Sequence, residues 1–296
     1  MLTTHTAQSP DQARQAIEKI KRKGRWARTQ ALDAQTDNPT AEQAFNTAHH
    51  AILDYNGHSI HVKVPRLVGH VTMNVVRPVV ERMGTGATTR ILGARKSLEH
   101  EEATYELLRE HGVPSIHARR DVREELGITG ALLTDHVYLQ DARPKLKANP
   151  LVRIELGIRL RQLHDAGAYW ADANLKNVKQ DSAGLVIIDF QHQYREDVKP
   201  DRRHAHDLVE AAVHTAVLTG TLDGAIDVLT GYHGQKGGLP ESVGSLVSEE
   251  RRVNRFYRRL RNKAIFGEDT GIIDESLRRI GLYAKEKEKN SPPTRI

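Results

Sequence analysis

The chain has 296 residues, no cysteine and a formal net charge of +6, with a pI near 9.4. The missing cysteines exclude disulfides, thiolate nucleophiles and cysteine-ligated zinc, and they fit a reducing compartment. A composition that is 38% hydrophobic and 28% charged is that of a chain that folds, and no apolar run of about 18 residues is present to cross a membrane.

The first 25 residues are polar and helical in period, without the apolar core of a secretory signal, so the cytoplasm is the expected location. Net positive charge suits an anionic partner: a nucleotide, an acidic lipid surface or a nucleic acid. The basic residues are spread out, however, and the two densest groups, "KIKRKGRWAR" and "ERRVNRFYRRLRNK", stand near opposite ends of the chain. Solubility explains them as well, and the second is most simply a solvated helix face.

Ser9 is a candidate N-cap, followed by Pro10 at the first helical position and Gln12 where a capping box takes Glu or Gln. A helix is therefore predicted over "SPDQARQAIEKIKRKGRWA", with a polar linker, "DAQTDNPTAEQ", after it. "HAILDYNGHSIHVKV" reads as two strands joined by an Asn56-Gly57 hairpin turn, and "HVTMNVVRPVV" as a third strand ended by Pro78. "GTGATTRILGARK" reads as a connection. Helical period returns in "SLEHEEATYELLREHG", closed by Gly112 and Pro114. Two more strands are predicted, around 115 to 122 and in "ALLTDHVYLQ".

From Asn149-Pro150, a cap and a helix-starting proline, an amphipathic helix runs to Gly167. "LVIIDF" follows as a short buried strand beyond a turn at "DSAG", and four helical segments fill most of the chain after about residue 204. Strands first and helices afterwards make an α+β chain. The boundary is expected at 141 to 149.

The segment "YWADANLKNVKQDSAGLVIIDF" carries the chemistry. Phosphoryl transfer needs a group that accepts the attacking hydroxyl's proton and hard oxygen ligands for the magnesium bridging the phosphates. Asp172, then Asn177, then Asp189 at the end of an apolar strand supply those types in that order. The interval between the two aspartates accommodates a loop and a hairpin, which brings two metal ligands to one edge.

These residues resemble the protein-kinase-like superfamily, and within it the kinases of lipopolysaccharide core sugars (Kdo and heptose kinases). "WADANLKN" is similar to their catalytic loop, with Asn174 in the place of the protein-kinase lysine. "EEATYELLREHGVPS" resembles their αC helix, which makes Glu101 its acid. "GALLTDHVYLQDARPKL" resembles the strand and hinge that hold adenine, and "HDLVEA" the helix whose Asp207 steadies the loop. The resemblance spans about residues 45 to 235. It implies a two-lobed fold: a helical extension and linker over 1–44, a small β-rich lobe over 45–143, a helical lobe over 144–288 and a disordered tail over 289–296.

The resemblance further implies ATP and magnesium, with Asp172 as proton acceptor, assisted by Asn174, and Asn177 and Asp189 as magnesium ligands. The phosphate-binding cation is assigned to Arg77, braced by Glu101, with Lys63 as the rival; Lys96 lies too close to Glu101 in sequence to sit on a separate strand. The implied acceptor is a sugar hydroxyl, free or lipid-linked, handled with peripheral association at an acidic inner-membrane surface and without nucleic acid. Two departures stand out: Trp170 replaces the family's His, and Gln191 follows Phe190. They keep a nucleotide-binding pseudokinase open as an alternative, beside a divergent protein Ser/Thr kinase. His204 and His206, spaced as metal ligands are, read as surface residues in the absence of a neighbouring acidic cluster.

Overall fold

The computed structural model describes residues 3–26, 48–65, 89–90, 92, 94–234, 238–260 and 270–290. Arg77, the predicted strand over 70–80, most of "GTGATTR", the linker and the last six residues lie outside them. The chain is α+β, and it divides into two compact units: one is formed by most of the chain up to Tyr138, the other by Leu139 onward together with Thr88–Arg90 and His111–Pro114.

The first unit is built on a mixed four-stranded sheet in the order β1-β2-β3-β5: β1 (Thr3–Ala7), β2 (Ala48–Tyr55), β3 (His58–Pro65) and β5 (Leu132–Asp135). Asn56 and Gly57 both adopt positive φ, at 50° and 75°, the backbone of a two-residue type I′ turn. That turn sets the β2–β3 register, with Tyr55 opposite His58. Because side chains alternate along a strand, Ala51, Leu53 and Tyr55 share a face with Ile60, Val62 and Val64. That face is buried against α1 (Pro10–Trp26) through Ala13, Ile17 and Ile20. His61 and Lys63 therefore stand on the opposite face, toward α2 (Ala94–Glu110).

The N-terminal segment departs from the expectation of a helical extension. Residues 3–7 form β1, parallel to β2 from Thr3–Ala51 to Ala7–Tyr55, and α1 is part of this unit's core. The cap itself is as predicted: Gln12 N–H donates to Ser9 Oγ at 3.3 Å, and Gln12 Oε1 accepts from Gln8 N–H at 2.8 Å. The strand predicted around 115 to 122 is a correction. Only an isolated bridge from Ala118 to Thr134 forms there, and α3 (Arg120–Glu125) follows, because Val122 and Leu126 bury at helical spacing.

In the second unit, α4 (Arg143–Ala148) and α5 (Pro150–Asp165) precede the loop that carries Asp172. Asn149 caps α5 through its side-chain oxygen, which accepts from Leu151 N–H at 2.9 Å. Gly167, with φ of 82°, turns the chain out of it. After the loop, β7 (Val178–Asp181) and β8 (Gly184–Ile187) form a hairpin whose outer neighbour is β6 (Gln140–Asp141). β9 (Gln193–Tyr194) pairs with β4 (Thr89–Arg90).

Then come α6 (Pro200–Thr219), α7 (Asp223–His233), α8 (Val243–Leu260) and α9 (Thr270–Asn290). Two glycines let α5 and α7 touch backbone to backbone: a Cβ on Gly157 would strike the Val228 carbonyl, and one on Gly231 the Ile154 carbonyl. Among the described residues, no helix is long and apolar enough to cross a membrane.

If α1 is part of the core, truncating its most buried residue must open a cavity. Ile17 is 0% exposed, and Ile17→Ala is expected to cost about 2–5 kcal/mol in urea unfolding of the full chain. A variant with an unchanged unfolding midpoint would show that the segment is an appendage.

Candidate functional site

Among the described residues, Lys63 is the cation that meets Glu101. Its Nζ donates to both carboxylate oxygens, at 3.0 and 2.8 Å, and both side chains are almost wholly buried. One turn further along α2, Tyr105 Oη donates to Glu101 Oε1 at 2.9 Å. Two buried charges are tolerable only when each is paired and hydrogen-bonded, and the tyrosine completes the pairing. Arg77, the cation expected beside Glu101, lies outside the described residues; the pairing that they show is that of its rival, Lys63, from the face of β3 turned toward α2.

The second unit holds Asp172, Asn174, Asn177 and Asp189. Everything there is organised by Asp207 on α6, which is fully buried. Its Oδ2 accepts from Trp170 N–H at 2.8 Å and its Oδ1 from Ala171 N–H at 2.8 Å. Tyr194 Oη donates to Oδ1 at 2.7 Å. His164 Nε2, at the end of α5, lies 3.1 Å from Oδ2, and its other ring nitrogen lies 2.8 Å from Tyr232 Oη. With Asp207 ionised, His164 donates to it from Nε2.

Burial alone would raise the Asp207 carboxyl, but the hydrogen bond from His164, with those from Tyr194 and Trp170, outweighs it and holds the group below its ordinary value of 3.8. The same burial, with the Asp207 charge alongside, pushes the Tyr194 hydroxyl well up. Tyr194 is therefore a donor only to the carboxylate, and it accepts at 3.0 Å from His206 Nδ1.

The loop between these anchors takes an uncommon path. Ala171 has φ of 58°, a conformation costly for a residue with a Cβ unless its surroundings enforce it. The bonds to Asp207 from the N–H groups of Trp170 and Ala171, the two peptides leading into it, hold the chain there. Further along, His214 Nδ1 sits 2.9 Å from the Ala173 carbonyl, and Ala173 N–H donates to Glu210 at 3.3 Å. Asn174 caps the short 3-10 helix Leu175–Asn177, its Oδ1 accepting from Lys176 N–H at 3.1 Å. Asp172 is left at the crest, about one-third exposed.

Asn177 and Asp189 arrive at one end of the β7–β8 hairpin. Val178 pairs with Ile187, and Ile188 N–H donates to the Asn177 carbonyl at 3.0 Å, so Asp189 follows directly after the residue facing Asn177. Asp189 also has positive φ, at 70°, which turns the chain sharply before the buried Phe190. Asn177 is 5% exposed, and its amide nitrogen is buried without a hydrogen-bond partner among the described residues.

The two ends of an amide exchange on a half-turn, so one end of this side chain meets no partner among the described residues. That fits magnesium, which takes one or two protein oxygens and completes its shell with phosphates and water. Among the described residues no cluster of three or more His, Asp or Glu side chains is placed to hold a metal ion.

Two expectations change here. Trp170 is fully buried, and what position 170 gives the site is its backbone N–H. His204 and His206 are half-buried parts of the layer under the loop. His204 stacks on His164 with ring centroids 4.2 Å apart, and burial together with His164 lowers it to about 4. His164, Tyr194 and Tyr232 escaped the sequence reading; the local signal at His164 and Tyr232 was an imidazole or aromatic at a helical position that ought to be apolar, and Tyr194, on β9, carried none.

Because the folded-state value of Asp207 lies below the unfolded 3.8, its stabilisation is complete above that pH and is lost as pH falls through the folded value. Asp207→Asn is expected to cost at least about 3 kcal/mol at pH 7 and to flatten the acid limb of the stability profile, read by urea unfolding between pH 7 and pH 3. A variant as stable as the wild type at pH 7 would refute this account. No protein-family model matches the chain, and no curated protein does either.

Proposed function

We propose that the protein is an ATP-dependent phosphotransferase with a protein-kinase-like fold. The observation that carries this is the loop hung on Asp207 by two consecutive backbone N–H groups, which presents Asp172 at its crest and leads into a hairpin ending in Asn177 and Asp189. On this reading Asp172 orients the acceptor hydroxyl and takes its proton as the oxygen attacks the γ-phosphorus. Asn177 and Asp189 hold magnesium, which when bound neutralises charge on the phosphates. Lys63, fixed by Glu101 and Tyr105, steadies the phosphates, in preference to Arg77. Asn174, whose side-chain oxygen is committed to capping, offers an amide N–H to the transferring group.

The acceptor follows from the resemblance of "WADANLKN": a sugar hydroxyl of a lipopolysaccharide core precursor, met at the inner face of the membrane by a cytoplasmic enzyme. A loop fixed from beneath by buried charge and strained above it is characteristic of a site that must hold one group within a fraction of an ångström.

The test is ATP turnover with magnesium, with and without a lipopolysaccharide-core extract. Asp172→Ala is expected to lower kcat about 10²- to 10⁴-fold, and Lys63→Met to lower turnover while the fold persists by circular dichroism. Transfer to protein in place of the extract would redirect the acceptor to a Ser or Thr hydroxyl. Nucleotide binding without turnover on any acceptor would leave a nucleotide-binding scaffold.

A further inference from the structure

We infer that His192 is a positioning residue for Asp172, and that Asp172 is held from two sides, by its own loop and by an imidazole that the segment after Asp189 brings to it. The inference rests on the phosphotransferase reading and adds a residue to it. His192 Nε2 lies 3.5 Å from Asp172 Oδ2, with the imidazole about one-fifth and the carboxylate about one-third exposed. An ionised carboxylate in this setting is turned by whichever donors reach it. The second oxygen, Oδ1, is then the one left to receive a proton from an acceptor hydroxyl.

The backbone makes the approach specific. Asp189, in the left-handed conformation, turns the chain toward β9. Phe190 and Tyr194 are both buried; Tyr194 is fixed by its bond to Asp207, and Gln193 pairs with Arg90. Phe190 and Tyr194 stand two residues to either side of His192 and hold the segment that brings its imidazole to Asp172.

The same Asp207 that anchors the loop under Asp172 thus anchors, through Tyr194, the segment that carries His192. Neither partner moves without disturbing that carboxylate. Glu210 and His206 face the neighbouring part of the loop, joined by an i,i+4 contact of 3.7 Å, and Glu210 engages the Ala173 N–H. The imidazole at Asp172 itself comes from residue 192.

The experiment compares wild type, His192→Ala and His192→Gln in ATP turnover with magnesium and core extract. In parallel, the imidazole of His192 is titrated by NMR in the wild type and in Asp172→Asn. Expected are a loss in kcat of about 10- to 100-fold for His192→Ala with KM for ATP little changed, and recovery of most of it in His192→Gln, whose amide nitrogen reaches the place of Nε2. A carboxylate beside an imidazole favours its charged form, so the His192 titration should move to lower pH in Asp172→Asn.

His192→Ala with wild-type kcat, or an unmoved titration, would overturn the inference and leave the phosphotransferase reading standing. A moved titration in a wild type that turns over no acceptor would support the pair and overturn the reading.

Discussion

One buried carboxylate holds the second unit's functional region together. Asp207 is removed from water altogether, a state that would drive an isolated carboxyl to take up a proton. It remains ionised because donors from α5, the loop and β9 converge on it. Each donor is thereby fixed relative to the other two, although they are far apart in sequence. A loop that owes its position to one shared acceptor cannot drift piecemeal. It is either in place or detached, which is the behaviour that the proposed role of Asp172 requires.

The cost of that arrangement is visible nearby. Ala171 and Asp189 both sit in the left-handed region without being glycine, and each stands next to a chemical group: the first precedes Asp172, the second is itself the proposed magnesium ligand. Strain of this kind lasts only where surrounding structure over-determines it. Here the over-determination comes from Asp207 on one side and from buried Phe190 and Tyr194 on the other. Beneath them, α5 and α7 approach closely enough for backbone contact at Gly157 and Gly231, so the platform carrying His164 and Tyr232 has little room to yield.

What the sequence made legible was what short-range chemistry dictates. Asn149 caps α5 because its side chain reaches an N–H two residues on, and Asn56-Gly57 turns because both residues accept positive φ. The order Asp172, Asn177, Asp189 is a loop and a hairpin read directly. What it concealed depended on register and on distant partners. Nothing near residue 3 says that "TTHTA" will lie parallel to a strand beginning at residue 48.

That Lys63 reaches Glu101 likewise follows from the way its face of β3 turns toward α2, a matter of packing and not of local pattern. His204 and His206 looked like surface residues because their partners, His164 and Tyr194, lie on other elements. The segment at 115 to 122 departs from the expected strand because Val122 and Leu126 bury at helical spacing past its end.

The tryptophan at position 170 shows how a large apolar side chain can sit where the loop is held by its backbone. The loop needs two things there: an N–H aimed at Asp207, and a side chain that fills the space beneath the turn. Any residue except proline supplies the first. Trp170 supplies the second by volume, at the expense of an indole N–H buried without a partner among the described residues, a penalty of about 1–3 kcal/mol. A histidine would have brought a second polar group into a layer that already contains His164, His204 and His206. In this chain polar contact with the loop's chemistry is distributed elsewhere, to His164 below and His192 beside Asp172, and position 170 is left to pack.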